Sequence, residues 1–322
     1  MKLLSEDYFQ YNAEQNYCVY ALKRANPPRY GPRNFHGDVT VLPYSCNLLT
    51  KLQEHPIYDT CGKDNIITIE EFITDHKYII SGGGDLGNDG IRKDRNGNFF
   101  WGNEWGKLLH INPFHLLTAF ESWFACHQKD KVDNSIVPFP LGFTPKITTL
   151  SNIDLLRTRP KHENCYANFA ITSRNRVQAA IAIQKRQDIT THIVKLEREL
   201  VWGASINPAI SYTERGAVPY PQYMDELSRH RYCICPSGFG ADTYRLWESI
   251  LMNTIPIAEN NFCNRVFSKL FPMVLINSYE DLNFDKIDEQ MSTFTGYDVS
   301  LLEVEKIPAL LQKLKKAAME TQ

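Results

Sequence analysis

Residues 233–248 read CICPSGFGADTYRLWE. An apolar run stops at Pro236, passes through two glycines and opens into a segment with helical spacing. Side chains alternate along a strand, so Cys233 and Cys235 share one face. Gly238 and Gly240 let a ligand approach the main chain closely. Asp242 or Thr243 stands where a helix cap belongs. The free amides and the dipole at a helix start favour phosphate oxygens. Arg245 and Glu248, three apart, lie on one helix face, while Trp247, Ile250 and Leu251 turn toward the core. The stretch therefore reads as a phosphate turn, with Arg245 beside the phosphate and Glu248 placed to accept hydroxyls of a ribose. An ordinary glycine turn followed by a solvated Arg245–Glu248 pair fits the same spacing. The dinucleotide fingerprint G-x-G-x-x-G is incomplete, because Thr243 holds the third glycine position, and no G-x-x-x-x-G-K-[ST] loop occurs in the chain.

Around this turn, elements alternate. YANFAI reads as a strand, SRNRVQAAIAIQKRQD as a helix capped by Ser173, and THIVKLE as a strand or a helix start. SYTERGAVPYPQYMDELSRH holds a loop and then a helix, with Tyr223, Leu227 and His230 inward, and leads into the strand RYCICPS. Then come the helix DTYRLWESILM, the strand TIPIAE, the short helix NRVFSKLF and the strand PMVLIN. Strand–helix alternation predicts a parallel sheet wrapped by helices, an α/β fold. In such sheets, ligands bind where strands end and helices begin.

The first part of the chain is less regular. DVTVLPY, NIITIEEF, HKYIIS and SIVPFPLGF read as strands, and HLLTAFESWFACHQ has helical apolar spacing through Leu116, Leu117, Phe120, Trp123 and Phe124. Residues 82–106, GGGDLGNDGIRKDRNGNFFWGNEWG, form the longest loop-like stretch, and loops of that size tend to carry function. A polar, proline-broken stretch at about 145–162 marks a linker. The expected division is a first domain over 1–150, a second over 151–300, and a terminal helix over 301–322 that packs back on the first.

With 322 residues, 43% of them hydrophobic, the chain can bury a sizeable core, and two domains are the natural expectation. The 35 basic and 37 acidic residues give a net charge of −2, which argues against a nucleic-acid surface. The opening MKLLSEDYFQYNAEQ lacks the apolar core of a secretory signal. No run reaches the length of a membrane helix, and there is no Asn-x-Ser/Thr acceptor. The eight cysteines lack framework spacing. These features lead us to expect a reduced, cytoplasmic protein. His230, Cys233 and Cys235 lack a second cluster to complete a zinc site, so no metal is expected.

RYCICPSGFGADTYRLWESILMNTIPIAEN resembles the signature block of the exostosin-type glycosyltransferases: a strand, Cys-Pro-x-Gly, an Asp-x-x-Arg-x-Trp-Glu helix, then a strand with Ile-Pro. ESWFACHQ with VPFPLGF resembles the end of that family's first domain, CYANFAITSRNRV the opening of its second, and FPMVLINSYEDL the stretch after the donor helix. The resemblance spans roughly residues 115–290 and is tightest around 232–258. It implies a GT-B architecture, two Rossmann-like domains facing a cleft. The implied reaction moves a sugar from a nucleotide sugar, typically a UDP-sugar, to a glycan hydroxyl, with inversion and without a metal or other cofactor. Glu248 is then the ribose-binding carboxylate. Arg245, Ser237, Gly238, Phe239, Gly240 and Asp242 surround the pyrophosphate, and Arg174 or Arg176 adds charge for the leaving diphosphate. Family members usually carry a membrane anchor; none is legible here, which points to a microbial or virus-encoded version.

Inverting transfer needs a base for the acceptor hydroxyl. The candidate is Asp85 in HKYIISGGGDLGNDG, at the end of a strand-like run. The family often has Ser-His where this chain has Gly-Gly-Gly, and Asp89, Glu104 and His110 are rivals. Trp101, Trp105 and Asp89 are the candidate acceptor-binding residues, the indoles as stacking faces for a sugar. The rival class is a catalytically silent glycan-binding or scaffold protein on the same fold.

Overall fold

The computed structural model describes residues 128–321, apart from 132–133, 135, 195–209, 211–217, 239 and 304–305, together with the backbone of eight strands between 34 and 126. The chain divides into two compact units, Met1–Pro145 with Leu301–Gln322, and Lys146–Ser300.

The first unit holds β1 (Asn34–Phe35), β2 (Val39–Leu42), β3 (Ile57–Tyr58), β4 (Ile66–Ile67), β5 (Tyr78–Ser81), β6 (Asn88–Lys93), β7 (Phe99–Asn103), β8 (Ser122–Cys126) and β9 (Ile136–Phe139). Five of them form a sheet in the order β1-β2-β5-β8-β9, parallel except for the edge strand β1. β3–β4 and β6–β7 are separate antiparallel pairs. The helical expectation for HLLTAFESWFACHQ fails over its second half. Ser122–Cys126 is a strand, with Trp123 and Phe124 paired to Ile79 and Ile80 on one side and to Ile136 and Val137 on the other. A short apolar run satisfies both periods, and tertiary pairing decides between them.

The second unit is built from α1 (Ile153–Arg157), β10 (Glu163–Ala170), α2 (Arg174–Ile183), β11 (Ile189–Val194), α3 (Tyr220–Leu227), β12 (His230–Ile234), α4 (Tyr244–Leu251), β13 (Ile255–Glu259), α5 (Phe262–Ser268), β14 (Val274–Ile276) and α6 (Phe284–Gln290). The terminal α7 (Ile307–Met319) belongs to the first unit and packs on β9. None of the described helices is long and apolar enough to cross a membrane.

In the second unit all five strands are parallel, in the order β11-β10-β12-β13-β14. This is the doubly wound order 2-1-3-4-5. Cys165, Ala167, Phe169, Tyr232, Ile234, Ile255 and Ile257 form one core with Ala179, Ala180 and Ile183 of α2. Across the sheet, Trp247 lies edge-on to Phe267 (4.9 Å) and Phe271 (5.7 Å), with no exposure. The strand order reverses between β10 and β12. Their outgoing chains turn to opposite faces there and leave a crevice at the carboxyl ends. The chain that leaves β12 at Ile234 enters this carboxyl end.

Candidate functional site

Two loops are tied across the strand-order reversal. Ser173 caps α2 by accepting from the amide of Arg176, and its hydroxyl donates to the carbonyl of Ser237 at 2.9 Å. Arg176 reaches over the same turn: Nε donates to the Pro236 carbonyl (3.4 Å) and Nη1 to the Ala170 carbonyl (3.1 Å). A Cβ on Gly238 would sit 2.9 Å from Nη2 of Arg176, closer than real Cβ contacts come. Glycine at 238 is therefore required for the guanidinium to lie on the backbone. Arg174, two residues earlier at the start of the helix, is exposed.

The turn has two halves. The first is closed by the protein itself. Glu259, at the end of β13, accepts from the Ser237 amide (3.0 and 3.1 Å), the Ser237 hydroxyl (2.7 Å) and the Tyr279 hydroxyl (2.9 Å). The amide expected to grip a phosphate at Ser237 is thus already held by a carboxylate. The second half is open. The amides of Gly238, Gly240, Ala241 and Thr243 meet no protein acceptor among the described residues. Thr243 is the N-cap of α4 with extended backbone, but its side chain makes no capping bond. Its hydroxyl is buried and has no partner among the described residues. Asp242 precedes the cap; its carboxylate accepts from the Trp247 indole at 2.9 Å at the start of α4.

Arg245 and Glu248 lie just beyond. Leu246 through Leu251 are all buried, so the expectation of a solvated surface pair does not hold. Glu248 is 4% exposed; Oε2 accepts from the Tyr223 hydroxyl at 3.0 Å, and the Tyr220 hydroxyl lies against the same carboxylate. Burial pushes the Glu248 carboxyl above its ordinary value, against the opposing pull of Arg245 and the Tyr223 hydroxyl. Burial, and next the carboxylate of Glu248, push the hydroxyls of Tyr220 and Tyr223 up. Burial works against the charge of Arg245, but Tyr223, Cys233, Cys235 and Glu248 together hold its guanidinium protonated. Its Cζ lies 5.9 Å from the ring centroid of Phe169 at the end of β10. No direct ion pair joins it to Glu248, and among the described residues it has no hydrogen-bond partner; Nε is fully buried. A cation held by packing and long-range attraction, beside open amides and an orphan hydroxyl, can accept an anion without first breaking a contact.

Of the residues marked in the sequence, the structure thus brings Ser237, Gly238, Gly240, Asp242, Arg245, Glu248 and Arg176 to the same end of the sheet. Phe239, Asp85 and Trp105 lie outside the described residues, and only the backbone of Asp89 (in β6) and Trp101 (in β7) is described. Glu259 and Tyr220 were missed, Thr243 was read only as a candidate cap, and Tyr223 only as an inward helix residue. Glu259 had a legible signal, an acidic residue closing TIPIAE at the carboxyl end of a parallel strand. The tyrosines had none, because the contact of Tyr223 with Glu248 depends on how α3 and α4 pack.

No family model matches this chain, and no curated protein matches it either. Among solved structures it is similar to the crystal structure of the GtfA/B complex, with a TM-score of 0.33 and 12% identity over 76% of this chain and 53% of that one. The chain spans just over half the length of that relative, and a likeness at this level carries no argument about the reaction.

Proposed function

We propose that the protein is a glycosyltransferase of the GT-B kind that takes a sugar from a nucleotide diphosphate sugar, of which UDP-sugar is the first to test, and hands it to a glycan hydroxyl with inversion. One observation carries this reading. The Arg245 guanidinium, protonated and without a hydrogen-bond partner among the described residues, stands with the open amides of Gly238, Gly240, Ala241 and Thr243 where the parallel sheet reverses its order. Amides and a fixed cation of this kind suit a diphosphate, both in binding and as a leaving group. The Glu248 carboxylate is then the acceptor for a ribose hydroxyl, with Tyr223 holding Oε2.

In the transfer, an acceptor oxygen bonds to the anomeric carbon as the bond from that carbon to the diphosphate oxygen breaks. The electron pair leaves on the diphosphate, toward Arg245 and the amides, and the acceptor proton passes to a carboxylate, for which Asp85 in the first unit is the candidate. Nothing in this step calls on a metal or cofactor.

Calorimetric titration of the full chain with UDP, followed by incubation with a panel of UDP-sugars and assay for released UDP, tests the reading. Saturable UDP binding with slow donor hydrolysis is expected. Asp85→Asn should keep UDP binding and lose at least about a hundredfold in transfer. Absence of binding to any nucleoside diphosphate overturns the proposal. Binding with no hydrolysis or transfer by any donor favours a silent glycan-binding or scaffold protein.

A further inference from the structure

At the opposite end of the same sheet, three side chains converge. Glu163 opens β10 and His230 opens β12, paired directly in the ladder, and Glu226 comes from the last turn of α3. One ligand atom from each lies within 4.8 Å of the others. His230 has no exposure, whereas the Glu163 side chain is 42% exposed. The imidazole is fixed on both sides: Tyr166 stacks on it at 5.0 Å and 25°, and Nδ1 lies 2.9 Å from the main-chain carbonyl of Glu226.

That carbonyl can only accept, so Nδ1 carries the proton and Nε2 presents its lone pair in the neutral ring. Nε2 lies 2.9 Å from Oε2 of Glu163, yet the oxygen stands off the ring-nitrogen axis and closes no hydrogen bond. Two acceptors in such contact repel unless a cation lies between them. A shared ion at about 2.0–2.2 Å from both atoms leaves the oxygen roughly 45° off that axis. This is the offset a direct N–H···O bond avoids.

We infer that Glu163, Glu226 and His230 form a site for a divalent transition-metal ion of the zinc class, with water completing the shell. One imidazole and two carboxylates match that class better than the all-oxygen shells of calcium or magnesium. The Nδ1–carbonyl bond is the outer-shell support such a ligand needs. Bound there, the ion joins the starts of β10 and β12 to the end of α3, away from the crevice, and takes no part in sugar transfer. The cysteines Cys233 and Cys235 are not among the converging ligands.

Chelator-treated full-length protein is titrated calorimetrically with zinc chloride, and with magnesium chloride as comparison. One equivalent of zinc is expected to bind and raise the unfolding temperature, with no response to magnesium. Glu163→Gln, at a half-exposed position, should weaken zinc binding by about tenfold or more while leaving the metal-free unfolding temperature unchanged. His230→Gln should do the same if it folds; Glu226→Gln is the second surface variant if it does not. The inference fails if the parent binds no stoichiometric zinc, in which case a proton alone joins His230 to Glu163. It fails equally if Glu163→Gln and Glu226→Gln both bind zinc as the parent does.

Discussion

The two ends of the second sheet hold cations of opposite habit. At the amino end, Lys161 donates to the Ser228 carbonyl (2.7 Å), the Met252 carbonyl (2.6 Å) and the Thr254 hydroxyl (3.0 Å). Arg159 binds the Asp225 carbonyl (3.2 Å), the Asp225 carboxylate (2.7 Å) and the Ser228 hydroxyl (3.1 Å). Every proton of the ammonium has an acceptor, and those acceptors lie where α3 and α4 end, so the charge meets the negative ends of two helices. At the carboxyl end, the Arg245 guanidinium has no hydrogen bond among the described residues, Thr243 leaves its hydroxyl orphaned, and four amides stand open. Buried polar groups are normally satisfied. A cation whose donors are all taken holds the fold together, and a guanidinium left without acceptors is a charge prepared for a ligand.

The sharpest way to break this contrast is Lys161→Met. The substitution strands two carbonyls, while the Thr254 hydroxyl keeps its bonds to the Leu227 and His230 carbonyls, and the expected loss of stability is about 3 kcal/mol, at roughly 1–3 kcal/mol for each abandoned acceptor, offset by relief from burying a charge. Burial, with Arg159 nearby, pushes the Lys161 pKa down to about 8, so the charge is retained in most molecules near neutrality. Thermal unfolding should drop by roughly 6–12 °C, with UDP affinity of the folded protein unchanged. A stable variant would mean that the three contacts do not lock the helix ends.

Arg245→Met makes the reciprocal change. The cation donates no hydrogen bond among the described residues, so the effect falls on the ligand: UDP affinity should drop about 10–100-fold, the range for hydrogen bonds to charged groups. Calorimetric titration measures it. Undiminished binding would move the diphosphate elsewhere and leave Arg245 as an unexplained buried charge.

How far the sequence reveals this contrast follows from the range of the interactions. Ser173 as a cap, the strand into Pro236, α4 and the strand ending at Glu259 are legible because each depends on a few neighbouring residues. The register that pairs Glu163 with His230 is not, nor is the carboxylate of Glu259 on the Ser237 amide, because both require β10, β12 and β13 to be side by side. Spacing also placed Arg245 and Glu248 on one helix face, but could not show that α3 covers it and draws Glu248 under Tyr223. The strand at Ser122–Cys126 illustrates the same limit in the first unit, where an apolar run takes its form from the strands beside it.

A smaller effect is expected from Gly238→Ala. The new methyl meets the far end of a flexible side chain, so Arg176 shifts and the turn survives. Stability should change by less than about 1 kcal/mol, the ordinary range for substitutions that create no cavity and no buried unpaired group. Displacing Arg176 and narrowing the approach to the amides should weaken UDP by up to about tenfold. A large stability loss with normal affinity would assign the close approach at 238 to folding instead.

The finest test is the pH dependence of Glu248→Gln. The folded carboxyl holds its proton more tightly than the unfolded one, because burial outweighs the attraction of Arg245. Between the ordinary value of 4.5 and the raised folded value, the native state binds more protons than the unfolded state. Stability of the parent therefore falls as pH rises through that window and levels above it. Glutamine keeps an acceptor for Tyr223 and carries no charge, so the variant lacks this dependence. Its stability relative to the parent should grow as pH rises from about 4.5, then plateau, which urea unfolding at a series of pH values would show. A flat difference would mean that the carboxylate is well solvated in the folded protein, and with it would go the picture of a desolvated acid waiting beside an uncommitted cation.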